Sequence, residues 1–310
     1  MGVFGSKAAF NADRDIPDLS GKVILVTGGN VGLGKESILQ FAKHNPKTIY
    51  MGSRSETKAH AAIAEIQKAV PGAHIAFLKV DLASFASIKQ AADTFKAETD
   101  RLDILVNNAG VLGRPLSLTE DGYEIQFGTN HMGTALLTKL LLPVLEKTAA
   151  APGSDVRVVT VSSEVHKWAP KPGLLLSENK TTLPNLSAVA RYAQSKLANI
   201  YFTQVLAKKY PNIKTVTLHP GIVKTNITQG AEYGNRLLSA FVAFGNIFIS
   251  VDVHTGTLTQ LWASTAKNVK SGAFYYPVGK EYTGQGLATD EKQAQELWDW
   301  TENELREHGF

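Results

Sequence analysis

Lys22-Val23-Ile24-Leu25-Val26-Thr27-Gly28-Gly29-Asn30-Val31-Gly32-Leu33-Gly34 is the stretch that decides how this 310-residue chain is read. An apolar, β-branched run enters a glycine-rich turn, and a helical pattern follows directly. Glycines in such a turn let the backbone double back, approach a pyrophosphate closely and pack the next helix against the sheet. The helix start then offers unpaired N–H groups and the positive end of its dipole to an anion. A glycine-rich turn alone is weak, because any strand-to-helix connection can use one; strand, turn and helix in that order supply the required context.

Outward from this unit, short apolar runs alternate with longer segments of helical period, the pattern of βαβ units and a parallel sheet. Strands are expected at 22–27, 47–53, 74–80, 103–106, 156–162, 213–219 and 273–276. Several are apolar throughout, as strands covered on both faces must be. Helices are expected at 32–44, 56–69, 84–98, 119–148 (broken near Gly128 or Pro143), 188–209 and 252–266. The fold class is α/β, a doubly wound parallel sheet of about seven strands in a single domain over 21–310, with 1–20 as a leader. Two excursions interrupt the alternation, 166–187 with three prolines and a glycine, and 226–250 with three glycines. Both follow a strand, so both are candidate substrate walls at the carboxyl edge of the sheet.

Composition narrows the function classes. A hydrophobic content of 44% supports a substantial core, and a net charge of +4 with interspersed signs gives no nucleic-acid footprint. The absence of cysteine excludes disulfides, thiolate metal sites and cysteine nucleophiles. The histidines lack metal-ligand spacing, so no metal is expected. The apolar window 240–251 is too short to span a bilayer, and a cytoplasmic protein is expected. Met1, Gly2 and Ser6 fit an N-myristoylation pattern, which would add reversible membrane attachment.

At the end of the second strand, where a dinucleotide site reads the adenosine ribose, the chain has Tyr50-Met51-Gly52-Ser53-Arg54-Ser55. No carboxylate stands there to favour NAD, and the planar Arg54 cation suits a 2′-phosphate, so NADP(H) is the expected cofactor, ahead of NAD(H).

Over about Lys22 to Pro277, these residues resemble the short-chain dehydrogenase/reductase family and its Rossmann fold. The family's TGxxxGxG turn corresponds to Thr27, Gly28, Asn30, Val31, Gly32, Leu33 and Gly34. Asp81 and Leu82 resemble its adenine contact, and Asn107-Asn108-Ala109-Gly110 its NNAG motif. Pro220-Gly221, with Val223 and Thr225, resembles the segment at the nicotinamide end. Phe127 to Gly133, Val161-Ser162-Ser163 and Tyr192 to Asn199 look closest to the retinol dehydrogenase and WW-domain oxidoreductase-like branch and its fungal relatives. The resemblance implies interconversion of a carbonyl and an alcohol by hydride transfer.

Three Tyr-x-x-x-Lys matches compete: Tyr192 with Lys196, Tyr210 with Lys214, and Tyr276 with Lys280. The chemistry needs both side chains on one helical face. Proline follows Tyr210 and Tyr276 directly, which biases each away from helix; only Tyr192 and Lys196 lie in an unbroken helical pattern. An ammonium about 4 Å from a phenol contributes roughly 4 kcal/mol at an effective dielectric of 20, worth up to about three pKa units. In the family's mechanism Tyr192 exchanges the proton at the substrate oxygen, and Lys196 also binds the nicotinamide ribose. Ser162 and Ser163 can both present a hydroxyl at the fifth strand's end; the family pattern favours Ser163. Asn130 resembles the asparagine that maintains a proton path from the lysine, with a backbone-bonding structural asparagine as the plainer alternative. His131 and His219 read as structural, while His166 and Trp168 are positioned to line a pocket. The rival functions are a dinucleotide-binding sensor without turnover and a membrane-peripheral retinoid or lipid dehydrogenase. The substrate, and whether the chain is a monomer or a homodimer, stay open.

Overall fold

In a computed structural model, residues 10–223, 251–284 and 286–310 are described. Among the described residues, eight strands form one sheet in the order β3-β2-β1-β4-β5-β6-β7-β8. These are β1 Val23–Thr27, β2 Thr48–Ser53, β3 Ile75–Lys79, β4 Ile104–Asn107, β5 Arg157–Val161, β6 Lys214–Leu218, β7 Phe274–Tyr276 and β8 Lys280–Glu281. The first seven are the expected ones and are mutually parallel; β8 adds an antiparallel edge through Tyr276 opposite Lys280.

Period-two geometry sends successive side chains of a strand to opposite faces. Val23 and Leu25 of β1 therefore enter one core, with α4 (Phe85–Glu98), α6 (Gly133–Ala149), α7 (Ala188–Lys209) and α9 (Glu291–Glu307). Ile24 and Val26 enter the other, with α1 (Ala12–Asp15), α2 (Gly32–Ala42), α3 (Glu56–Ala69) and α8 (Val253–Thr265). Phe10, Ala12, Ile16 and Leu19, in the stretch expected to be a leader, are buried in this second core. Helix α9 lies beyond the periodic segments named from sequence. Its signal was an aspartate cap: Asp290 Oδ1 accepts from the Gln293 N–H at 3.0 Å, and Gln293 Nε2 donates to Asp290 Oδ2 at 2.9 Å.

The helix expected over 119–148 begins only at Ile125, because 119–124 form a turn closed by the Leu118–Glu124 bridge, and it then continues to Ala149 without a break at Gly128 or Pro143. A short α5 (Ile125–Phe127) passes into a π-helical turn, Gly128–Met132, and then α6; Pro143 sits inside α6 without ending it. No helix among the described residues is long and apolar enough to cross a membrane. Strand order reverses between β1 and β4, and beyond the carboxyl ends of these strands lies the crevice that an open α/β sheet offers a ligand.

Candidate active site

The glycine turn leaves β1 at that reversal. Gly28 (φ +66°) and Gly32 (φ +53°) occupy the left-handed region, and a Cβ at Gly34 would run into the Gly28 carbonyl oxygen. The turn is held from β4. Asn108 Nδ2 donates to the Thr27 carbonyl at 2.8 Å, and Thr27 Oγ1 accepts the N–H groups of Asn108 and Ala109, each at 3.1 Å. Thr27 and Asn108 thus shape the turn.

Helix α2 differs from its neighbours at its start. Ser55, Ser84, Ser187, Asp252 and Asp290 each accept a backbone N–H in the first turn of α3, α4, α7, α8 and α9. Val31 stands in that position before α2 and makes no side-chain cap. The first amides of α2, at Gly32, Leu33 and Gly34, therefore keep their donors for an anion. At the end of β2, Arg54 has a 64% exposed side chain and only a long 3.8 Å approach to Asp81. Asp81 accepts from the Ala83 N–H at 3.0 Å, and Leu82 is buried.

Tyr192 and Lys196 lie on the unbroken helix α7, capped by Ser187, with Lys196 Nζ 5.5 Å from the centre of the Tyr192 ring. Tyr210 instead ends α7 with Lys214 opening β6, and Tyr276 and Lys280 sit on adjacent strands, so neither forms a helical pair. The Lys196 amine is buried and donates to the Val161 carbonyl at 2.9 Å; burial brings its pKa down to about 8. A Cβ at Gly110 would lie 3.2 Å from Asn130 Oδ1 and 3.3 Å from Lys196 Nζ, so the NNAG glycine, the asparagine and the lysine converge on one point.

Asn130 occupies the π-helical turn, a device that often marks functional sites. Its Oδ1 accepts from the Val111 N–H at 2.7 Å; its Nδ2 donates to the Val111 carbonyl and to Ser195 Oγ, each at 3.0 Å. Ser195 Oγ in turn donates to the Tyr192 carbonyl at 2.7 Å. The side chain thus has the backbone-bonding role and lies beside the lysine as well.

The two serines are distinguished by their bonds. Ser162 Oγ is buried and donates to the Lys196 carbonyl at 2.7 Å. Ser163 Oγ accepts from the Val165 N–H at 3.2 Å, which leaves its own proton to give. The 3-10 turn that Ser163 caps, Glu164–Trp168, packs on α7. Within it, His166 is buried with Nδ1 donating to the Ser163 carbonyl at 2.8 Å, whereas Trp168 is 63% exposed. His131 and His219 are buried and held by desolvation at about 3 and about 4, so both are neutral near pH 7.

At the end of β6, Gly221 takes φ +94° after Pro220, and Val223 pairs with Val251 and seats against Gly256 of α8. Thr225, the excursion 226–250, the apolar window 240–251 and the acylation sequence at Met1, Gly2 and Ser6 lie outside the described residues.

Comparison with known proteins agrees with this arrangement. The profile described as short chain dehydrogenase matches residues 22–172. The short-chain dehydrogenase/reductase drtF of Aspergillus calidoustus is 38% identical, over 94% of this chain and 96% of its own. Retinol dehydrogenase 14 of Mus musculus is 32% identical over 92% of this chain and 86% of its own. Among solved structures, the Pseudomonas aeruginosa RhlG/NADP active-site complex superposes with a TM-score of 0.65 at 22% identity, covering 84% of this chain and 96% of that one. With a fold, a glycine turn and near full-length relatives in common, the chain belongs to the short-chain dehydrogenase/reductase family of oxidoreductases.

Proposed function

We propose that the chain interconverts a carbonyl and an alcohol using NADP(H), with Tyr192 exchanging the proton at the substrate oxygen. The observation that carries this reading is the buried Lys196 amine 5.5 Å from the centre of the Tyr192 ring on one face of an unbroken helix. Below about pH 8 the amine is an ammonium, and its field favours loss of the phenolic proton; above that it fades. Ser163 donates its hydroxyl proton to the substrate oxygen, and Ser162, spent on the helix backbone, holds Lys196 in place.

The dinucleotide's diphosphate would rest on the uncapped start of α2, with Gly28 and Gly34 allowing its approach. Arg54 is free of a short ion pair and suits a 2′-phosphate, while Asp81 and Leu82 flank the adenine side. Ala109, Gly110, Pro220, Gly221, Val223 and Thr225 complete the nicotinamide side by family resemblance. Bound there, the nicotinamide would give or take the hydride. The chain works in the cytoplasm, with Gly2 acylation as the feature that would attach it reversibly to a membrane.

A lipophilic substrate, as in the retinoid reading, is favoured by one specific observation: Leu116, Leu118, Trp168 and Ile222 are exposed, each on a connection leaving the carboxyl end of β4, β5 or β6. A panel of aldehydes and ketones, including long-chain ones, assayed with NADPH and NADH on wild type and Tyr192→Phe tests the whole reading. Turnover with NADPH that vanishes in the variant is expected; binding of dinucleotide without turnover of any substrate would support the sensor instead.

A further inference from the structure

We infer that the buried ion pair between Glu124 and Arg191 is a positioning element that sets the rotation of α7, and so the placement of the Tyr192 phenol against Ser163 and Asn130. The inference rests on the reading of Tyr192 as the proton-exchanging group.

Glu124 is fully buried and Arg191 nearly so, with Nη1 donating to Oε1 at 2.7 Å. The other carboxylate oxygen, Oε2, accepts the N–H groups of Gln126 at 3.0 Å and Phe127 at 2.7 Å, capping the turn that leads into the π-helical segment bearing Asn130. Arg191 precedes Tyr192, and its Nη2 donates to the Arg114 carbonyl at 3.1 Å, in the connection that follows β4. One ion pair therefore joins the Tyr192 helix, the Asn130 turn and the β4 loop.

Buried amides extend the same pattern along α7. Gln126 accepts from the Gly113 N–H and donates to the carbonyl of Ala188, the first residue of α7, each at 2.9 Å. Gln194 Nε2 donates to Asn179 Oδ1 at 3.0 Å, and its Oε1 accepts from the Leu175 N–H at 3.3 Å. The proline-rich excursion is thereby fastened to the helix two residues past Tyr192. The side chains of Arg191 and Gln194, three residues apart, are neighbours on one side of the helix, and the Ala188 carbonyl is held at its start.

Desolvating two charges is unfavourable, and an apolar pair of similar volume commonly stabilises a fold as well or better. What an apolar pair lacks is direction. Hydrogen bonds accepted by both oxygens of Glu124 and donated by two nitrogens of Arg191 leave α7 a single rotational setting, and a misplacement of about 1 Å at a reacting group can lower a rate by about 100-fold.

The test measures kcat, KM and NADPH dissociation constant for the best carbonyl in the panel, on wild type, Tyr192→Phe, Arg191→Lys and the double variant Glu124→Gln/Arg191→Met. The positioning role predicts that the double variant binds NADPH within about twofold of wild type with KM little changed, while kcat falls about 30- to 100-fold. Arg191→Lys, which keeps the charge and loses the fork, should fall about 10-fold. Unchanged kcat in the double variant overturns the inference; if that variant does not fold, Arg191→Lys decides, and its kcat within about twofold of wild type overturns it equally. Activity surviving in Tyr192→Phe would instead remove the underlying reading of the tyrosine.

Discussion

The two edges of the parallel sheet are built on opposite principles. At the amino edge, charges are saturated. Asp103 is fully buried and receives the Val23 N–H at 2.9 Å, Lys22 Nζ at 3.0 Å and Arg101 Nε at 2.7 Å. Arg157, also buried, pairs with Asp155 and donates to the carbonyls of Ala263 and Ala266 at the end of α8, at 3.0 and 2.9 Å. At the carboxyl edge, polar capacity is held back. Helix α2 starts without a cap, Lys196 is buried against one backbone carbonyl, and apolar side chains stand in solvent. Stability is stored at one edge, and the other keeps donors, charge and apolar surface available for a ligand.

Four experiments sharpen that contrast. Lys196→Met should lower turnover by about 1,000-fold, since the ammonium field goes, together with the ribose contact that the family resemblance implies. The same variant should be more stable than wild type without dinucleotide by about 1–2 kcal/mol at pH 7, because it removes a buried charge. The sign follows from the pKa: a lysine at about 8 in the folded chain against 10.5 when unfolded makes the native state bind fewer protons between those values. Wild-type stability then rises across that window, and the variant's advantage disappears by its upper end. Urea melts of both proteins across the window read this directly.

Asp103→Ala at the opposite edge should do the reverse, costing about 3 kcal/mol of stability while leaving the kcat of the folded fraction near wild type. Burial opposes the Asp103 carboxylate, but Arg101, the Val23 N–H and Lys22 outweigh it and hold its pKa below the usual carboxylate range. Its stabilisation is therefore complete above about pH 4 and is lost as pH falls through the folded value. A comparison of acid unfolding between wild type and variant measures that loss. Arg54→Asp should weaken NADPH by about 2 kcal/mol, or about 30-fold, and NADH far less. Equal losses for the two would count against the 2′-phosphate contact. The smallest effect is in the pH profile: kcat/KM for reduction should decline above about pH 8 as Lys196 loses its proton, and a flat profile to pH 9 would detach the lysine from the chemistry.

What the sequence disclosed divides along the same lines. The seven parallel strands were legible because they are short runs of β-branched and apolar residues, several of them buried on both faces, and Tyr192 was separable from Tyr210 and Tyr276 because a following proline biases those two away from helix. The preference for Ser163 over Ser162 came from family pattern alone; the bonds of the two hydroxyls now supply a physical reason. Other features were hidden by distance in the chain. Glu124 and Arg191 meet across 67 positions, and nothing local in either segment announces the partner. The leader assignment overlooked Phe10, Ile16 and Leu19, whose burial depends on a face of α2 and α8 that only the assembled sheet creates. Helix α9 carried a readable cap and a periodic stripe of buried residues, Ala294, Leu297, Trp298, Thr301 and Leu305, so pattern alone would have found it as well.

The most direct test is a single-turnover measurement of NADPH oxidation by the preferred carbonyl on Tyr192→Phe, paired with the variant's affinity for NADPH. Removal of one hydroxyl from a buried ring should leave dinucleotide binding within about twofold and slow the chemical step by about 1,000-fold or more. A variant that binds NADPH normally and turns over within about 10-fold of wild type would contradict the account.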